Sequence, residues 1–140
     1  MVSGKQQFIW EDITKQIRPG TWHADPIMVQ NADNYAPLKG EQVAALVDEI
    51  PQIEYLKEER QPGPKHIEEV ADVVSDQVKC IFGGAGGRVL PDELRRGGNV
   101  NMPACELADV LTKVTELWWA GEEEEARALH RRLLPLIILE

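Results

Sequence analysis

From residue 25 onward, two kinds of apolar spacing take turns along the chain. Short runs of strand length, "DPIMVQN" at 25–31, "IEYLKE" at 53–58, "VKCIFGG" at 78–84 and "NVNMPA" at 99–104, are each bounded by turn formers. Helical spacing follows each of them. Val43, Leu46, Val47 and Ile50 fall at i, i+3, i+4 and i+7, and Ile67, Val70, Ala71 and Val74 repeat that pattern. "LPDELRRGG" predicts a shorter helix, with Pro91 in its first turn and Gly97 and Gly98 at its end. Leu107, Val110, Leu111, Val114, Leu117 and Trp118 lie on one face of the next helix. Strand–helix alternation of this kind predicts βα units on a parallel sheet with right-handed crossovers. Helices on one side at least make the strands apolar on both faces. Four units amount to a half barrel or a small open α/β sheet.

A last helix is expected after Gly121. Glu122 to Glu125 occupy its first turns, and Arg127, His130, Arg131 and Arg132 lie further on, an order that complements the helix dipole. Glu123 and Arg127 stand as an i, i+4 pair, so the acidic run reads as a solvated helix start. Ala126, Leu129, Leu133 and Leu136 form the expected buried face, with Trp118 and Trp119 packing the helix pair. Residues 1–24 remain unassigned: "FIWEDITKQI" allows a turn or two of amphipathic helix, and "RPGTWHADP" reads as loop.

Composition narrows the picture by exclusion. At 140 residues, 43% of them hydrophobic, the chain suits one domain with its own core. A formal net charge of −9 argues against nucleic acid and anionic membrane surfaces, which require clustered basic residues. The longest apolar run, "LLPLIIL", falls far short of the ~18–20 residues of a membrane span, and "MVSGKQQFIW" lacks the apolar stretch of a secretory signal. A cytoplasmic protein is expected. Cys80 and Cys105 sit in apolar runs and read as reduced core thiols. With His23, His66 and His130 scattered, no zinc-ligand spacing exists, and neither a metal nor a cofactor is expected.

Three stretches could carry chemistry. In "IEYLKEE" the period of two puts Ile53, Tyr55 and Lys57 on one face, with Lys57 at the C-terminal end of its strand. In (β/α) folds that end carries the active site. A lysine facing a barrel interior loses hydration, which favours the neutral amine that attacks carbonyls. The bland alternative is a surface lysine balanced by Glu58 and Glu59. In "FGGAGGR", Phe82 to Arg88, glycines follow a strand and let backbone N–H groups approach an anion, or simply serve a tight turn. It is neither a Walker loop nor a dinucleotide fingerprint. In "NMPACE", Asn101 to Glu106, Pro103 fits a strand end.

In order, "PIMVQN", "IEYLKEE", "IFGGAGG", "LRRGGNVNMPACE" and "AGEEEEARALHRRLLPL" resemble the dihydrodipicolinate synthase and N-acetylneuraminate lyase family over residues 25–140. The resemblance implies an α/β fold that is part of a (β/α)8 TIM barrel, corresponding to strands five to eight with C-terminal helices. It implies class I lyase, aldolase or dehydratase chemistry, in which a lysine on strand six forms a Schiff base with pyruvate or another 2-oxo acid. Lys57 stands at that lysine's place. Gly83 and Gly84 fall at the end of the family's seventh strand and Asn101 and Met102 on its eighth, which implies substrate-binding positions for all four. The double glutamate and "MPAC" resemble the branch that acts on sugar acids more than the lysine-biosynthesis branch. Strands one to four, which supply the carboxylate-binding hydroxyls and a relay tyrosine, lie outside the match, and neither Tyr35 nor Tyr55 stands in the relay motif. Val100 occupies a position usually held by a small residue. A half barrel is expected to form a homo-oligomer or to pair with a complementary half. The alternatives are a non-catalytic remnant that partners a full-length relative, and a small anion-binding domain built on "FGGAGGR".

Overall fold

The four apolar runs fold as β1 (Ile27–Asn31), β2 (Ile53–Glu58), β3 (Cys80–Gly83) and β4 (Val100–Asn101). In the computed structural model, which describes residues 26–34, 36–74, 76–103 and 105–139, they pair in chain order as one parallel sheet. Segment 1–24, Asp25 and Tyr35 lie outside the described residues. Helices α1 (Gly40–Glu49), α2 (Gly63–Val74) and α3 (Leu90–Arg95) connect successive strands, and α4 (Ala108–Trp119) and α5 (Glu123–Ile138) follow β4. Pro91 sits in the first turn of α3, and Gly97, at φ +95°, ends its exit in the left-handed region that glycine enters without a Cβ clash. Among the described residues, no helix is long and apolar enough to cross a membrane.

The helix-facing side of the sheet is sealed by the predicted periodic residues. Val43, Leu46, Val47, Ile50, Ile67, Val70, Ala71 and Val74 are all buried, in one cluster with Ile53, Leu56 and Ile81 from the strands. A fully buried side chain of this kind contributes about 1.5–3 kcal/mol, so this layer is the main source of cohesion. A second cluster joins Leu90, Leu94, Leu107, Leu111, Val114, Trp118, Ala126 and Ile137, and packs α3 against α4 and α5.

The opposite face carries cross-strand rows. Met28, Tyr55 and Cys80 pair in one row, and Gln30, Lys57, Phe82 and Val100 in the next. Tyr55 and Phe82 meet as tilted rings with centroids 6.3 Å apart. Ile53 does not join this face as the strict alternation predicts. The β1–β2 register slips between Ile27 and Met28, Glu54 is the extra residue, and Ile53 turns into the helix-side cluster.

Three further expectations give way to packing. At about 100° per residue, Ile137 lies ~20° and Leu136 ~80° around α5 from Ala126, so Ile137 is buried and Leu136 is 54% exposed. Trp118 packs in the second cluster between Arg95 and Arg127, but Trp119 is exposed and donates its indole N–H to the Asn99 carbonyl. The Glu123–Arg127 pair is replaced by bonds between helices: Arg95 meets Glu123 at 3.1 Å and Arg127 meets Asp92 at 3.5 Å. Of the two free thiols, Cys80 is half-buried, and burial pushes its ionisation upward, whereas Cys105 is exposed rather than a core residue.

Buried polar groups lock the strand ends on the helix side. Glu58, 1% exposed, accepts from Arg60 N at 2.9 Å, Nε at 3.0 Å and Nη2 at 3.1 Å, and from Asn31 Nδ2 at 2.9 Å. Asn31 in turn bonds both backbone groups of Leu38. Glu69 of α2 accepts the Gly40 N–H at the start of α1 and pairs with His66. The Gly40 bond holds the Glu69 carboxyl below its ordinary value.

Candidate functional site

All four strands point their C-terminal ends to the same side of the sheet, because they are parallel. Lys57, one residue from the end of β2, rises there on the face away from the helices, in the row with Gln30, Phe82 and Val100. The ladder continues one residue past the strand through the Glu59 N–H to the Asn31 carbonyl. Glu59 therefore keeps the strand's period of two and lands on the same face as Lys57. Lys57 Nζ lies 3.3 Å from Glu59 Oε1, with side chains 15% and 22% exposed. Gln30 of β1 donates its amide to Glu59 Oε2, which fixes the carboxylate from the other side.

These two residues line an open cavity of about 570 Å³ with Arg88, Met102 and Ile137, and the turn after β3 supplies Ala85 and Gly86. The volume falls in the ~300–1,000 Å³ range of small-molecule sites. Lys57 and Arg88 give the cavity two cationic side chains and Glu59 gives it one carboxylate. That charge pattern suits a small anion. The turn is tight: Ala85, Gly86 and Gly87 have φ of 52°, 64° and 79°. His130 of α5 bonds the Gly87 carbonyl at 2.8 Å and ties the turn to the C-terminal helix.

Lys57 and Met102 therefore both line the cavity. Gly83, Gly84 and Asn101 stand behind its wall. Gly83 and Gly84 are buried, and Asn101, 7% exposed, turns its Nδ2 to the Gly84 carbonyl at 2.9 Å instead of to the cavity. With the side chains seated as they are, a Cβ on Gly84 would overlap the Glu59 carboxylate, and one on Gly83 would overlap that of Glu93. The sequence offers Glu59 only as a surface counter-charge to Lys57, although its i+2 spacing from Lys57 is the signal for a shared face. Nothing in the sequence pointed to Ile137, which reaches the cavity from α5.

No family model matches the sequence. It is 28% identical over 115 residues to L-2-keto-3-deoxyarabonate dehydratase of Azospirillum brasilense, covering 81% of this chain and 37% of that protein. The fold superposes on dihydrodipicolinate synthase from Rhodopseudomonas palustris with a TM-score of 0.78 at 24% identity, over 93% of this chain and 44% of that one. It superposes on 2-keto 3-deoxygluconate aldolase from Picrophilus torridus with a TM-score of 0.79 at 15% identity, over 94% and 47%. The chain thus spans less than half the length of the proteins it matches. The parallel βα units and these likenesses together show the fold, part of a (β/α)8 barrel similar to those of dihydrodipicolinate synthase and 2-keto 3-deoxygluconate aldolase.

Proposed function

We propose that this chain carries the Schiff-base half of a class I lyase, an aldolase or dehydratase, acting on pyruvate or a sugar-derived 2-oxo acid. The observation that carries the reading is the Lys57–Glu59 pair, set 3.3 Å apart at the C-terminal end of β2 inside a cavity of substrate size. Glu59 accepts a proton from Nζ, and the neutral amine attacks the keto carbon. The resulting carbinolamine loses water, with Glu59 returning the proton to the departing hydroxyl. The iminium then withdraws electrons from the adjacent carbon, which eases the loss of a proton or the cleavage of a carbon–carbon bond there. Arg88 suits the substrate's carboxylate as a bidentate donor. The likeness to a dehydratase of a sugar-derived 2-oxo acid supports that substrate class.

The reading includes a partner. Among the described residues, β1 and β4 are edge strands, and the face bearing Lys57 leaves Met28 and Met102 each 38% exposed. A complementary half barrel, or a second copy of this chain, would pair those edges and cover that face.

Borohydride trapping with pyruvate tests the chemistry, read by intact mass and peptide mapping with Lys57→Ala as control. A stable adduct on Lys57 alone is expected. Folded protein that yields no adduct would leave the chain as a non-catalytic relative of the family.

A further inference from the structure

Glu93 of α3 is a carboxylate that the proposed chemistry does not use, and it is 2% exposed. It sits at i+3 from Leu90, so the helix turns it inward with the apolar face. It reaches the underside of the turn that follows β3. Its Oε2 accepts from Asn101 Nδ2 at 3.3 Å, and the Gly84 N–H also donates to the carboxylate. A Cβ on Gly83 would overlap it, and one on Gly63 would come within 2.9 Å of Oε1, so two backbones close around the group. The Gly84 carbonyl is held as well, by Asn101 Nδ2 at 2.9 Å and the Gly87 N–H at 3.1 Å. Among the described residues, Asn101 Oδ1 is buried without a partner, and two Nδ2 bonds orient that amide.

The N–H and the carbonyl of Gly84, in the two peptide groups that flank its Cα, are thus both clamped from below, and Glu59 rests on the residue's other side. We propose that Glu93 is a positioning residue for the Lys57 site, and that it acts through the Gly84 turn on how Glu59 is seated against Lys57. The inference rests on reading Lys57 and Glu59 as the reacting pair.

Ionised Glu93 makes charge-assisted bonds to Gly84 and Asn101, which weaken when the group takes up a proton. Burial pushes its pKa up from 4.5 to about 7, and the Glu59 charge adds to the push while the Asn101 and Gly84 bonds oppose it. The other charges near it are engaged elsewhere. On its own helix, Asp92 pairs with Arg127, Arg95 with Glu123 and Arg96 with Glu68; on α2, His66 pairs with Glu69. Asn101 of β4 and Gly63 of α2 approach it without charge.

The test is a ligand-free NMR titration of the full chain from pH 5 to 9. It follows the Gly84 amide and the carboxyl carbon of Glu59 in wild-type protein and in Glu93→Gln. Both nuclei should inflect near pH 7 in the wild type, and neither should in Glu93→Gln. A Glu59→Gln variant, which keeps Glu93 in place, should move the Gly84 inflection to lower pH, because a like charge is gone. A Gly84 inflection that Glu59 does not share, no inflection at either nucleus, or a Gly84 midpoint unmoved by Glu59→Gln would each overturn the proposal. Because no 2-oxo acid is present, a failure to trap pyruvate would sink the proposed function without touching this result.

Discussion

Lys57 Nζ and Glu59 Oε1 stand 3.3 Å apart because a strand's period of two carries one residue past the end of β2. As a partly exposed ion pair it contributes little to stability, about 0–1 kcal/mol. Its weight is chemical. A positioned acid–base group contributes ~10²–10⁴-fold, so Glu59→Gln should slow pyruvate trapping at Lys57 by at least ~10²-fold. The fold should be unaffected. Single-turnover trapping rates, with circular dichroism as the folding control, check this. An unchanged rate would remove Glu59 from the mechanism.

Glu58, its neighbour, faces the helix side and does structural work. Four donors converge on it and Arg60 beside it is 5% exposed. Breaking a buried pair by removing one partner costs about 3–5 kcal/mol, and Arg60 would keep only the longer contact to the half-exposed Glu69 at 3.5 Å. Glu58→Gln should therefore lower the urea midpoint strongly. The double variant Glu58→Gln, Arg60→Met should recover much of the loss, since no lone buried charge is left. Additive losses in the double variant would contradict the account.

How much of this was legible can be judged from the same strands. The β2 boundaries, the helix-facing residues of α1 and α2, and Lys57 at a strand end all follow from spacing, because each is fixed by a period and a turn signal. Ile53 was misplaced because a bulge depends on the partner strand's register, which a single strand's alternation does not encode. Glu93 was overlooked although "LPDEL" puts it at i+3 from Leu90. Its burial depends on Gly83 and Gly63, residues distant in sequence that leave room for it. The buried face of α5 was drawn one residue off at its end, where Leu136 and Ile137 are both apolar and only the cluster beneath chooses between them.

The turn under the cavity stores strain at one point. Ala85 has φ 52°, a region that costs an L-residue roughly 1–2 kcal/mol, whereas glycine enters it freely. Glycine's extra unfolded-state entropy takes back about 0.5–1 kcal/mol. Ala85→Gly should therefore stabilise the protein by up to about 1.5 kcal/mol. Gly87→Ala should do the reverse and by more, because it adds a left-handed penalty and brings a Cβ within 2.8 Å of Leu111. Paired urea titrations measure both. A destabilised Ala85→Gly would mean that the methyl group makes contacts worth more than the strain.

Glu93 should also leave a mark on stability against pH. Its carboxyl is raised from 4.5 to about 7 in the folded protein. The folded state thus holds this proton more tightly than the unfolded chain does. Its contribution is fully present below about pH 4.5 and is lost progressively as pH rises to about 7, beyond which it is flat. The span of the loss is about 3 kcal/mol, from roughly 1.4 kcal/mol per pKa unit. Glu93→Gln has no proton to lose there. Unfolding free energies measured at intervals from pH 4.5 to 8 should therefore show the wild type falling relative to Glu93→Gln across that window, then running parallel to it. Curves that stay parallel throughout would mean that Glu93 is not desolvated in the folded protein, which would undo its burial beneath Gly83 and Gly84.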